Sequence, residues 1–186
     1  MALTARNIAL NLLYYGVTVA GLPWVVLYVQ DSLGFGRESF ASLRIAAVAL
    51  ALAGITLQLG CIALFQRIGE GTPSPLLPPR QLVLVGPYRW LRNPMNVGEV
   101  AVFLALAAWF GSWALAAYAL LGWLAFHLFV VLYEEPRLAR QFGGRYDAYR
   151  REVERWIPKV YGPAGQQAAP TKKTADIANT LNKPTE

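Results

Sequence analysis

The sequence predicts an all-α integral membrane protein of about four transmembrane helices. Three observations carry that expectation. The chain has 186 residues, 55% of them hydrophobic, with a mean hydropathy of +0.35, too apolar for an ordinary soluble domain of this length. Its charges are segregated, long uncharged stretches alternating with basic ones, as membrane helices alternate with their flanks. Finally, Val97 to Tyr133 carries a single charge, Glu99, near its start.

The elements follow in order. Ile8 to Val29 is uncharged and long enough to cross about 30 Å of hydrocarbon, with Pro23 expected to kink it. Arg6 precedes this run, but no small-residue cleavage site follows, so it reads as a retained span rather than a removed signal peptide. Gln30 to Ser42 is a polar link. Leu43 to Phe65 is a second span, in which Gly54 and Gly60 would allow close helix contact and Gln58 an interhelical hydrogen bond. A single helix over Val97 to Tyr133 would be about 55 Å long, far beyond the bilayer. The run must turn back, and Phe110-Gly111-Ser112-Trp113 is the natural corner. The chain thus divides into a two-span region (1–65), a core of loop, hairpin and amphipathic segment (66–161), and a Lys/Thr/Pro/Ala-rich tail (162–186) expected to be disordered.

Four spans put the N-terminus, the loop from Gln66 to Pro94 and the C-terminal region on one side. That side holds Arg67, Arg80, Arg89, Arg92 and every cation beyond Tyr133, against Arg37 and Arg44 on the other. The positive-inside rule makes it cytosolic, with both termini on that side. The same rule accounts for the net charge of +6 without a nucleic-acid partner. Cys61 is the one cysteine. It rules out an intramolecular disulfide, and in an apolar run it reads as a buried thiol rather than a metal ligand.

Two segments on the cytosolic side carry the polar chemistry. One is the proline-stiffened loop ending in "GPYRWLRNPMNVG", residues 86–98, where Pro94 starts a helix that Asn93 would cap. The other is "EEPRLARQFGGRYDAYRREVERWIP", from Glu134. Glu134 and Glu135 fall where the last span is expected to end, an unfavourable place for acids, so Arg89, Arg92 or a ligand ammonium should compensate them. Beyond Gly143-Gly144, the positions of Tyr146, Tyr149, Val153 and Trp156 describe one face of an amphipathic helix, suited to anchoring at the bilayer surface. Together the two segments flank one hairpin and offer arginines, amides, aromatics and a carboxylate pair.

In these two segments, from roughly Gly69 to Tyr161, the chain resembles the isoprenylcysteine carboxyl methyltransferase family, itself similar to phospholipid N-methyltransferases. The pattern is Gly-x-Tyr-x-x-x-Arg-His-Pro-x-Tyr-x-Gly, then Glu-Glu, then Phe-Gly-x-x-Tyr-x-x-Tyr. Here Asn93 stands in the place of the His and Asn96 in that of the second Tyr. The resemblance implies S-adenosylmethionine as cofactor, in a cytosolic pocket built from the long loop and the C-terminal segment. It implies that Leu82, Val83, Tyr88, Asn93, Pro94, Met95 and Asn96 line that cofactor and that Glu134 and Glu135 anchor it from across. Tyr146, with Arg145 and Tyr149, would close the pocket. Arg92 matches the arginine before the His-Pro pair and is the candidate catalytic residue.

Methyl transfer from a sulfonium asks the protein mainly for positioning and electrostatics. The acceptor expected is a lipophilic small molecule or lipid entering from the bilayer, with carboxylate, amine and thiol open as the accepting group. His127, inside the last span, reads first as a packed or hydrogen-bonded group. Two other classes fit the same residues: an NADPH-dependent reductase of sterol-reductase type, which nucleotide titration would reveal, and a non-catalytic scaffold, in which Glu135→Gln would change no affinity.

Overall fold

The structure is a computed structural model and describes residues 9, 12–38, 41–65, 67 and 81–158. Most of the proline-rich stretch before Gln81 and the expected disordered tail lie outside the described residues. Within them the chain is all-α. The helices are α1 (Leu12–Ser32), α2 (Ala41–Leu64), α3 (Pro94–Phe110), α4 (Trp113–Phe142) and α5 (Gly144–Glu152), with a single 3₁₀ turn at Gly86–Arg89. α1, α2 and α4 are each long and apolar enough to cross a membrane. α3 is shorter, about 26 Å at about 1.5 Å per residue, near the lower limit for a span.

Two of the long helices contain a wide π turn, and each lies just before a proline. In α1 it covers Gly16–Gly21, with the Leu22 N–H bonded to the Val17 carbonyl five residues back, ahead of Pro23. In α4 it covers Val130–Glu134, with the Glu135 N–H bonded to the Val130 carbonyl, ahead of Pro136. Proline lacks an N–H and crowds the carbonyl four residues earlier. Widening the preceding turn relieves that conflict without ending the helix. The expectation that the last span ends at Glu134–Glu135 is therefore corrected: α4 continues to Phe142. The two glutamates sit mid-helix, so the helix dipole is not what calls for their compensation.

The tightest helix contact is α2 against α3. A Cβ on Gly54 would stand 2.6 Å from the Gly98 carbonyl oxygen, and one on Gly98 would stand 2.7 Å from that of Gly54. The two backbones touch because neither residue has a side chain there. Gly60, expected to serve likewise, faces open space. Gln58 is buried with its Cγ against Gly98.

The α3–α4 corner forms where expected. Gly111 closes α3 in the left-handed region (φ 59°, ψ 38°), and Ser112 caps α4 by accepting the Leu115 N–H at 3.1 Å. Ser112 also donates to the Gln30 side chain, and the Glu38 N–H reaches the Gly111 carbonyl at 3.2 Å. These bonds knit the α1–α2 connection to the α3–α4 corner. Nearer the middle, Tyr14 donates to Glu99 at 2.8 Å, and Tyr118 donates to the Thr18 carbonyl at 2.7 Å. Both tie α1 to the hairpin, and Glu99 is 3% exposed. The opposite end of the bundle carries the polar strip.

Candidate functional site

The strip begins at Leu82–Leu84, where successive side chains pack on different clusters. Val83 joins Cys61 and Tyr88 in one apolar cluster, while Leu82 and Leu84 pack on the other side against Tyr146, Tyr149 and Val153. Gly86 then turns the chain at φ 60°, so close to α2 that a Cβ would meet the Leu64 Cδ1 at 2.7 Å. The turn drops Tyr88 inward, its ring edge-on to Phe65 at 5.5 Å. Met95 packs on the same cluster. Leu82, Val83 and Met95, expected as cofactor lining, pack in the same clusters as Tyr146 and Tyr88, with Leu82 and Met95 half-buried.

The polar residues converge. Arg92 donates through Nη1 to Glu135 Oε1 at 2.9 Å, bringing the strip onto α4. Glu135 is held a second time by Arg155, whose Nε and Nη2 donate to Oε1 and Oε2 at 2.7 and 2.9 Å. Tyr146 is buried close enough to Arg92 to feel its charge. The compensating cations are therefore Arg92 and Arg155; Arg89 is exposed. Arg155 was legible only as part of a basic run, and nothing in its spacing singles it out. Arg145 lies exposed.

Arg92 holds a further feature. Its Nε is buried and has no acceptor among the described residues. Its side chain is 10% exposed, and a desolvated guanidinium N–H without an acceptor costs free energy. Glu134, on the π turn beside Glu135, is half-buried and makes no ion pair among the described residues.

Asn93 stands at the N-cap of α3, but its side chain accepts no bond there. It donates instead from Nδ2 to the Arg155 carbonyl at 3.4 Å. Its backbone carbonyl takes the Val97 N–H, and Pro94, at the first turn, is fully buried. Asn96 is half-buried on the next turn.

The C-terminal segment departs from the expected amphipathic helix. α5 ends at Glu152, and Val153 is already extended (φ −112°, ψ 128°). Tyr146, Tyr149 and Val153 do form one face, but it packs on Leu82, Leu84, Leu138 and Phe142 rather than on a bilayer surface. Tyr149 donates from its hydroxyl to the Tyr88 carbonyl at 2.7 Å. The chain then crosses the strip as a strap. The Arg92 N–H bonds to the Glu154 carbonyl at 2.9 Å. Trp156, expected on the α5 face, instead donates from Nε1 to His127 Nδ1 at 3.0 Å. His127 is thus a hydrogen-bonded group, its Nδ1 an acceptor.

Burial pushes the Tyr88, Tyr146 and Tyr149 hydroxyls above the usual phenol range. For Tyr146 the nearby Glu135 charge adds to the rise and Arg92 opposes it. Hydrogen bonding to Glu135 holds Arg155 more firmly charged. The wall is therefore two fixed cations, the doubly paired Glu135 with Glu134 beside it, and neutral phenols.

Beside this wall an apolar groove of about 240 Å³ runs along α3. It is lined by Leu50, Val97, Val100, Ala101, Leu104, Trp123 and Trp156. It starts one turn beyond Asn93 and shares Trp156 with the strap.

A polar cluster at the end of a membrane bundle, against an apolar groove, suits chemistry between a water-soluble and a lipophilic reactant. Residues 43–145, more than half of the chain, match the model of the phospholipid methyltransferase family. The chain belongs to that family. The matched range holds α2, α3, α4 and the polar strip, and stops just before Tyr146. No curated protein matches the chain. As a member of the phospholipid methyltransferase family it is a membrane methyltransferase, and Tyr149, Arg155 and Trp156 reach its candidate site from beyond the matched range.

Proposed function

We propose that the protein transfers a methyl group from S-adenosylmethionine to a lipophilic acceptor, with the polar end of the bundle facing the cytosol of a bacterial inner membrane. The observation that carries this reading is the buried Arg92 Nε, without an acceptor among the described residues, on a guanidinium paired with Glu135 and near Tyr146. A carboxylate at that point satisfies it with a charge-assisted bond. Glu134 offers an uncommitted carboxylate for an ammonium or for ribose hydroxyls, and Tyr88, Tyr146 and the Asn93–Asn96 turn complete the wall. The donor set fits the amino-acid end of the cofactor and its polar sugar.

When bound, the cofactor supplies a methyl group already activated on a sulfonium. The residues of this chain hold and orient. Arg92 fixes an anionic group, which makes its part in the reaction one of binding. Leu82, Val83 and Met95 keep the strip rigid from behind. The groove along α3 takes the apolar part of the acceptor and keeps water from it. The neutral phenols add no competing charge, and a carboxylate acceptor needs no base.

Isothermal titration of the detergent-purified protein with S-adenosylmethionine, and with its demethylated product, tests this reading. Binding in the micromolar range that weakens in Glu135→Gln is expected. A folded sample that binds neither ligand at high micromolar concentration overturns it.

A further inference from the structure

The strap after α5 touches the very residues assigned above to the cofactor wall. The Glu154 carbonyl accepts the Arg92 N–H, the Arg155 carbonyl accepts from the Asn93 amide, and the Arg155 guanidinium donates to Glu135. Its start is fixed, because Val153 is buried with Tyr146 and Tyr149. Among the described residues, its far end is tied to a membrane span by the side-chain bond from Trp156 to His127. Trp123 stacks near both partners, with ring centroids 5.5 Å from His127 and 6.2 Å from Trp156.

We infer that Trp156 and His127 are positioning residues that latch residues 154–157 across the cofactor wall, so that releasing their bond loosens the strap and lets the wall open more often. The inference rests on the cofactor reading above. Once the latch is released, the strap keeps the bonds made at Glu154 and Arg155 but loses its tie to α4 at Trp156, and the Arg155 guanidinium is held less firmly on Glu135. Trp156 also lines the apolar groove. A hydrocarbon chain in the groove therefore packs on the indole and favours the latched state, so acceptor and cofactor tighten each other's binding. Such a coupling is reciprocal by linkage.

The test reads the strap directly and does not depend on turnover. The Arg92 amide is protected by the Glu154 carbonyl, so its hydrogen–deuterium exchange reports closure. Trp156→Phe keeps the ring and removes the donor; His127→Phe removes the acceptor. Each should raise exchange at Arg92 about three- to tenfold, the range one neutral hydrogen bond spans, with the double variant no faster than either single one. His127→Asn, which returns an acceptor near the place of Nδ1, should restore protection. Dissociation of S-adenosylhomocysteine should quicken in both Phe variants and stay slow in His127→Asn. Unchanged exchange at Arg92 in both Phe variants overturns the latch. So does a rise spread evenly over Pro94–Phe110, which would mean general loosening. If the wild-type protein binds no S-adenosylhomocysteine, the cofactor reading fails, while exchange at Arg92 still decides the latch.

Discussion

Glu135 accepts hydrogen bonds from two arginines that lie far apart in sequence, Arg92 at 2.9 Å and Arg155 at 2.7 and 2.9 Å. One carboxylate on α4 thus joins the strip before α3 to the strap after α5. At this shared acceptor the three segments of the candidate site become a single body.

Arg155→Ala should leave Glu135 buried with one partner instead of two. Because Arg92 remains, the cost should be about 1–3 kcal/mol rather than that of a fully stranded charge. Adding Glu135→Gln should recover part of it. A double-mutant cycle by thermal unfolding in detergent checks this, and a coupling within error of zero contradicts it.

Gly98→Ala should push α2 and α3 apart, because the new methyl meets backbone, which cannot rotate away. A loss of about 1–3 kcal/mol is expected, as for overpacking generally. Gly60→Ala, with nothing near it, should be neutral or slightly stabilising. Melting temperatures of the pair decide it.

Gly143 sits at φ 53°, ψ −134°, between α4 and α5. Side chains rarely adopt that conformation, so Gly143→Ala should cost about 1–3 kcal/mol. It should also weaken S-adenosylhomocysteine binding by misplacing Arg155. The neighbouring Gly144→Ala meets no atom and should keep both stability and affinity. Equal behaviour of the two variants would contradict the assignment.

Stability should fall in alkali. Burial raises the folded-state pKa of the Tyr88, Tyr146 and Tyr149 hydroxyls above the unfolded value of about 10. A raised folded pKa favours the fold fully below the unfolded pKa. That contribution is lost as pH climbs from about 10 toward the folded values, because the unfolded chain gives up its protons first. Melting temperature plotted against pH should stay flat with respect to these groups up to about 9 and then drop. Tyr149→Phe should lower the plateau by losing the bond to the Tyr88 carbonyl and should make the alkaline slope shallower. A wild-type curve still flat at pH 11 would contradict this.

Much was legible because some constraints are local. Hydrophobic runs longer than a soluble helix needs, and the Gly111-Ser112 corner, foretold the helices and their reversal. Gly54 was legible as a contact residue; Gly60 looked identical in sequence and differs only in which way its helix face points. The polar strip and the glutamate pair stood out as charge in an oily chain. Their pairing did not, since Arg89 and Arg92 were the arginines offered to the two glutamates and Arg155, read only as part of a basic run, supplies two of the three bonds.

The sequence by itself determined an all-α membrane protein, its hairpin and the two polar segments that meet at one end, because spacing, composition and helix breakers act over a few residues. Only the tertiary structure decided how those segments meet. It continued α4 past Pro136 by widening one turn, which put Glu134 and Glu135 mid-helix. It also ended α5 four residues before Trp156, turning an expected surface helix into a strap. Both outcomes depend on contacts across tens of residues, where the Arg92, Glu135, Arg155 and His127 partners outweigh the local helical preference.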